Sequence, residues 1–188
     1  MKSLKTKILS ASLILLALLV GCSKKAVTII NDPEIEQSLY GTWAVSSSGE
    51  SQFWTGPNIK TEKFLGKATI RTENTISFSK NHSFEMSNNS IVESLTIPED
   101  SSLEEEVLRP MLEKSVSIKG SFSVDKDYLE LRRESVLVNG SESYTAEEYS
   151  KIDNNFGSVV QVEKWKLSGN TLTVSDSSSE SDISYERQ

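Results

Sequence analysis

The chain has 188 residues, with 20 Lys+Arg, 27 Asp+Glu, one His, one Cys and a formal net charge of −7. One Cys cannot close an internal disulfide, and one Cys with one His cannot complete a structural zinc site. The acidic balance argues against a nucleic-acid binder, which needs a basic face to displace phosphate counterions. The length fits one domain with an appendage.

The appendage comes first in the chain. Lys2, Lys5 and Lys7 form a positive start, and Ile8 to Val20 is an apolar run interrupted only by Ser10 and Ser12. Leu19-Val20-Gly21-Cys22 follows directly. A transmembrane helix needs about 20 apolar residues, and this run is shorter. The pattern is that of a secretory signal with a small-residue cleavage site. Leu-Val-Gly-Cys resembles the bacterial lipobox, which implies that Cys22 receives a diacylglyceryl group (acyl chains of the palmitate class) and becomes the first residue of the mature chain. Each buried methylene is worth about 0.8 kcal/mol, and two chains anchor stably. The expectation is a lipid-anchored envelope protein that does not span the membrane. Ser23 after the Cys favours the outer membrane in a Gram-negative cell, with the domain periplasmic or surface-exposed. The expected divisions are a signal peptide over 1–21, lipidated Cys22 and linker over 22–31, and a folded domain over 32–188. Losing residues 1–21 removes three Lys and no acid, leaving 17 basic and 27 acidic side chains, or −10. Lys24 and Lys25 then sit beside the anchor, where they suit anionic headgroups.

Asp32-Pro33-Glu34 is an N-cap with proline at the first helical position, so a helix of one or two turns should end before Gly41. A first long strand follows, and Phe53, Trp54 and Gly56-Pro57 read as a loop after it. From there the dominant signal is a period of two. Phe64, Gly66, Ala68 and Ile70 share a face. Ile76 and Phe78, then Phe84 and Met86, flank Lys80-Asn81-His82 as a hairpin. Ser102-Leu103-Glu104-Glu105 is a capping box that opens a helix through Val107, Leu108, Met111 and Leu112. Pro110 inside that pattern should keep it short or kinked. Val116, Ile118, Gly120, Phe122 and Val124 mark a half-buried strand. Leu129 and Leu131 follow the Asp125-Lys126-Asp127 turn. Thr145-Ala146-Glu147-Glu148 is a second capping box, with Tyr149 and Ile152 on one helix face. Trp165 and Leu167, then Leu172 and Val174, flank Ser168-Gly169-Asn170 as another hairpin. After a serine-rich run from Ser175 to Ser181, read as a solvated loop, Ile183, Tyr185 and Arg187 share a face of the last strand. Many short strands with tight turns predict an all-β antiparallel sandwich or barrel with one to three short helices.

Leu39-Tyr40-Gly41-Thr42-Trp43-Ala44-Val45 narrows the choice. Gly-x-Trp at the start of the first long strand, after a short helix, resembles the lipocalin signature. Three later segments are similar to strands and hairpins of the lipocalin-like domains of bacterial lipoproteins. They run from Ile76 to Phe84, from Lys119 to Val124 and from Trp165 to Val174. Tyr185-Glu186-Arg187 is similar to their closing Tyr-x-Arg. The resemblance implies a barrel of about eight strands, a plugging Trp43, and Arg187 packed over it. Residues 49–61, 88–114 and 139–158 exceed what a minimal domain of that kind needs, and could cap a barrel mouth or form a separate surface.

Sites of chemistry are scarce. His82 reads as a surface turn residue with no evident acidic partner. Cys22 is consumed by lipid, so no cysteine nucleophile remains, and the serines lack a Gly-x-Ser-x-Gly elbow. Asp176 to Asp182 resembles a calcium loop loosely, but it lacks the sixth-position glycine and has Arg187 where the twelfth-position Glu belongs. No enzyme activity, metal or cofactor is expected. Two functions remain. In the first, the barrel binds a small, partly apolar ligand through an interior of Trp43, Val45, Phe64, Ile70, Phe78, Phe84, Phe122, Leu131 and Trp165. In the second, the barrel is filled and its surface binds another envelope protein or serves a structural role. An open apolar pocket of about 300 Å³ or more would mark the first.

Overall fold

The computed structural model describes residues 29, 31–55, 63–99, 104–154, 156–175 and 182–188. Cys22, the signal segment, Ser102 and the serine-rich run from Asp176 to Ser181 lie outside them. The described strands are β1 (Gly41–Thr55), β2 (Lys63–Phe78), β3 (Ser83–Thr96), β4 (Lys114–Val124), β5 (Tyr128–Val138), β6 (Glu142–Thr145), β7 (Val160–Ser168), β8 (Thr171–Ser175) and β9 (Asp182–Arg187). They pair antiparallel in the order β4-β3-β2-β1-β9-β8-β7-β5, and β4–β5 pairing closes the ring. The result is an eight-stranded closed barrel with one extra strand and three short helices, α1 (Pro33–Leu39), α2 (Glu105–Leu112) and α3 (Ala146–Ile152). Among the described residues no helix is long and apolar enough to cross a membrane.

Local chemistry accounts for most boundaries. Asp32 caps α1 by accepting from the Glu34 and Ile35 amides, and Pro33 takes the first helical position. Gly41 then adopts φ +125°, a conformation that favours glycine, and turns the chain into β1. In β4 the buried residues Val116, Ile118, Gly120, Phe122 and Val124 alternate with more exposed ones. Thr145 and Glu148 form the reciprocal capping box of α3.

Several expectations are corrected. Residues 49–61 do not begin a capping loop, because β1 runs on through Thr55, and Trp54 therefore belongs to a strand. A register shift at Phe53/Trp54 accompanies a change of face. Leu65 is buried and Phe64 only half-buried, so Phe64 does not join the main core. The start of α2 differs too. Glu104 is its N-cap and makes no side-chain cap hydrogen bond. Pro110 lies inside this short helix, and Glu113 caps its end by donating to the Arg109 carbonyl. In the 139–158 segment a strand, β6, precedes α3. Tyr149 is buried while Ile152 is 62% exposed, so the two do not share a buried face.

Two apolar clusters result. The main one fills the barrel and includes Trp43, Ile76, Phe78, Phe84, Phe122, Leu131 and Tyr185. The second, of Phe53, Leu65, Ala68, Ile70, Val92 and Leu112, lies where β1, β2 and β3 extend toward α2. Between them the same strand faces carry Asn74, paired with Asn88, and Thr72, paired with Ser90. Ile70 belongs to this second cluster and not to the barrel interior expected for it.

Candidate functional site

One end of the barrel is sealed. Trp43 has no solvent exposure, and its indole N–H donates to the Leu39 carbonyl at 2.8 Å. The Arg187 guanidinium lies 4.3 Å from the Trp43 ring centroid and donates to the Ser38 and Tyr40 carbonyls. These carbonyls belong to the end of α1, where intrahelical donors have run out. The last strand thus latches the first helix over the plug. Asn31 adds a second tie by accepting from the Val124 amide at 2.9 Å.

His82 sits at this end, in a turn with φ +60°. Its ring is largely exposed, as expected for a turn residue, but it has an acidic partner that the sequence did not reveal. Nδ1 lies 2.8 Å from Oε1 of Glu36, a residue only 4% exposed. The same oxygen accepts from the Tyr40 hydroxyl at 2.9 Å. Burial and the Glu36 carboxylate together raise the Tyr40 phenol above its ordinary value. Among the described residues no three His, Cys, Asp or Glu side chains gather as a metal set.

The barrel interior is occupied by side chains. Trp43, Phe78, Phe84 and Phe122 are packed together in one cluster, with Phe78 and Phe122 in edge contact at 4.8 Å. Trp165 is half-buried, and its indole donates to the Asp125 carbonyl at 2.8 Å. It therefore braces the β4–β5 turn. Val45 packs half-buried against the cluster, and Leu131 is within it.

A polar network lies inside as well. Arg133, Gln161 and Glu163 are 1%, 3% and 2% exposed. The Arg133 guanidinium donates to the Phe156 carbonyl and to the Gln161 side-chain oxygen. Gln161 in turn donates to Glu163 at 2.6 Å. The Phe156 ring stacks on the guanidinium, 4.7 Å away, and makes an edge contact with Tyr149 of α3 at 5.2 Å. Burial pushes the Arg133 guanidinium down to about 10, with Glu163 opposing the shift. Arg133 remains charged at neutral pH.

Arg133 continues the inward phase of Leu129 and Leu131, and a β-bulge follows it at Glu134. The β4–β5 register shifts between Lys119 and Gly120, so that Gly120 faces Arg133. A Cβ on Gly120 would lie 1.9 Å from the Arg132 carbonyl oxygen, a distance at which only glycine fits. In the sequence Gly120 is simply one more position on the buried face of its strand. Arg133, Gln161 and Glu163 went unnoticed, although parity could have found them: Arg133 is two residues beyond Leu131, and Gln161 and Glu163 precede Trp165 at even spacing.

Among the described residues, an interior cavity of about 40 Å³ is lined mainly by Met86, Ile118, Phe156, Ile183, Tyr185 and the Asn74–Asn88 pair. Ligand sites typically occupy several hundred Å³. None of Trp43, Phe64, Phe78, Phe84, Phe122 and Trp165 lines this cavity. A larger, open cleft of about 580 Å³ lies between β9 and the β1–β2 pair. Compared with known protein families and with curated proteins, the chain matches none.

Proposed function

We propose that this protein is a lipid-anchored bacterial envelope lipoprotein whose lipocalin-like barrel is filled and acts through its outer surface, as a protein-interaction or structural module. The observation that carries this reading is the occupied interior. Phe156 and Tyr149, from the 139–158 segment, fill the space that a ligand would need, and the buried Arg133 is bonded to the backbone of that segment. The interior cavity of about 40 Å³ among the described residues has room for water and not for a carried molecule.

The anchor follows from the Leu-Val-Gly-Cys resemblance, with Cys22 as the lipidated residue. Eight residues lie between Cys22 and Asn31, a span of nine steps that reaches at most about 32 Å. Asn31 is tied to the sealed end, so that end faces the membrane, and α2, α3 and the long β1–β3 extension point away. The negative charge of the mature domain also holds its body off an anionic surface.

Two measurements test the reading. Cys22→Ala should move the protein from the detergent phase to the aqueous phase in Triton X-114 partitioning; retention in detergent would sink the anchor. The dye 8-anilinonaphthalene-1-sulfonate should show no saturable one-to-one binding to the native protein, whereas an open apolar calyx would bind it and brighten it.

A further inference from the structure

The barrel seam between β1 and β9 is zipped for two residue pairs only, Trp43 with Arg187 and Ala44 with Glu186. The same register would continue with Ser46 opposite Ser184 and Ser48 opposite Asp182, and all four residues are described. They do not pair. The strands part there, and the cleft of about 580 Å³ opens along the split, lined by Ala44, Ser46, Glu73, Thr75, Ser184 and Glu186 among others.

Backbone groups point into this cleft from both sides. Gln188 donates its amide to the Thr42 carbonyl, so Thr42 presents its backbone to β9. With a period of two, Ala44, Ser46 and Ser48 present theirs to the same edge. On β9, Arg187 donates to Asn170 on the far side, which turns Ser184 and Glu186 toward β1. The Ser46 and Ser184 main chains thus face each other across a gap with no partner strand among the described residues. Beyond Ala44, β1 continues for eleven residues to Thr55, roughly 36 Å of strand at the usual rise. An unpaired edge of this kind is a template for strand addition.

The charge of the cleft limits what can enter. Among the described residues its lining holds two carboxylates, Glu73 and Glu186, and no Lys, Arg or His. Arg71 pairs with Glu73 and also with Glu93, so the three side chains together keep a net negative charge. The side chains around the edge are small and polar, which suits close approach of another main chain.

We propose that this seam is a β-augmentation site that takes an extended, lysine-bearing segment of a partner protein, its main chain bonding to the β1 edge from Ser46 onward. The proposal rests on the surface-acting reading above and names the surface. A stoichiometric small molecule in the barrel would overturn that reading and leave seam binding to stand or fall by itself.

The test uses full-length protein in detergent and a capped seven-residue peptide in which lysine alternates with threonine and valine. Two control peptides carry glutamate in place of lysine, or an N-methylated central residue that cannot donate. Fluorescence anisotropy should show saturable binding of the lysine peptide, at least tenfold weaker for each control. Amide hydrogen exchange at Ser46 and Ser184 should slow at least tenfold when the peptide is added. Ser46→Pro removes an edge donor and should weaken binding tenfold or more. If that variant fails to fold, the exchange measurement on the parent protein decides alone. Equal binding of the N-methylated peptide, or no added protection at millimolar peptide, overturns the proposal. So does protection of both amides before any peptide is added, since the chain's own residues would then fill the seam.

Discussion

Replacing Arg133 by methionine should destabilise the barrel far more than its lost contacts suggest. The guanidinium is held down to about 10 by burial, a shift corresponding to roughly 3 kcal/mol against burying its charge. The substitution removes that cost. It also strips the donor from the Phe156 carbonyl and from Gln161, and leaves Glu163, 2% exposed, as a buried acid without its nearby cation. Breaking a buried pair from one side costs about 3–5 kcal/mol, whereas replacing the whole group with apolar side chains is often neutral or better. Arg133→Met alone should therefore lose about 3–5 kcal/mol, and the triple variant Arg133→Met, Gln161→Leu, Glu163→Leu should return to within about 1 kcal/mol of the parent. The assay is urea unfolding followed by tryptophan fluorescence. With a slope of about 2 kcal/mol/M, the single variant shifts the midpoint by roughly 1.5–2.5 M. A single variant within about 1 kcal/mol of the parent, or a triple variant as unstable as the single one, would refute this role for Arg133.

Other outcomes follow from the same geometry. Gly120→Ala places a methyl against the Arg132 carbonyl and should cost about 1–3 kcal/mol or more in urea, since the clash is with backbone; a loss below about 1 kcal/mol would mean the bulge is not as tight as described. Arg187→Ala removes the cation over Trp43 and two donors to the end of α1, and calorimetry should register a loss of about 1–2 kcal/mol, with Arg187→Lys recovering only part. Tyr185, its phenol pushed up to about 12 by burial, ionises near 10 once unfolded. The unfolded chain then sheds its proton first, so stability is full below pH 10 and falls by up to about 2.7 kcal/mol as pH rises toward 12. Tyr185→Phe should flatten that part of the stability–pH curve, and an unchanged slope would count against the burial of the hydroxyl.

The barrel was legible in the sequence because its signals are local. Alternation from Val116 to Val124, the Gly169 turn and the Asp32-Pro33 cap each act within a few residues, and each appears where expected. Arg187 over Trp43 was legible only through resemblance, since the two lie at opposite ends of the domain. What stayed hidden depends on non-local pairing. The bulge after Arg133 brings the Arg132 carbonyl against Gly120, but nothing in Lys119-Gly120-Ser121 says which carbonyl the glycine must admit. Glu36 and His82 meet only because α1 folds across the β2–β3 turn. Trp54 and its neighbours read as a loop because glycine and proline follow closely, yet pairing with β2 carries β1 through Thr55. The half-open seam is the least legible feature, since the same register that closes Trp43 on Arg187 would have predicted a closed edge at Ser46.

The proposed function requires a barrel that holds side chains and no cargo. Native mass spectrometry of the protein purified from its own cells tests it most directly. The expected mass equals the processed chain plus its lipid on Cys22, with nothing further released on gentle activation. A small molecule held one-to-one, and lost together with the fold, would contradict it.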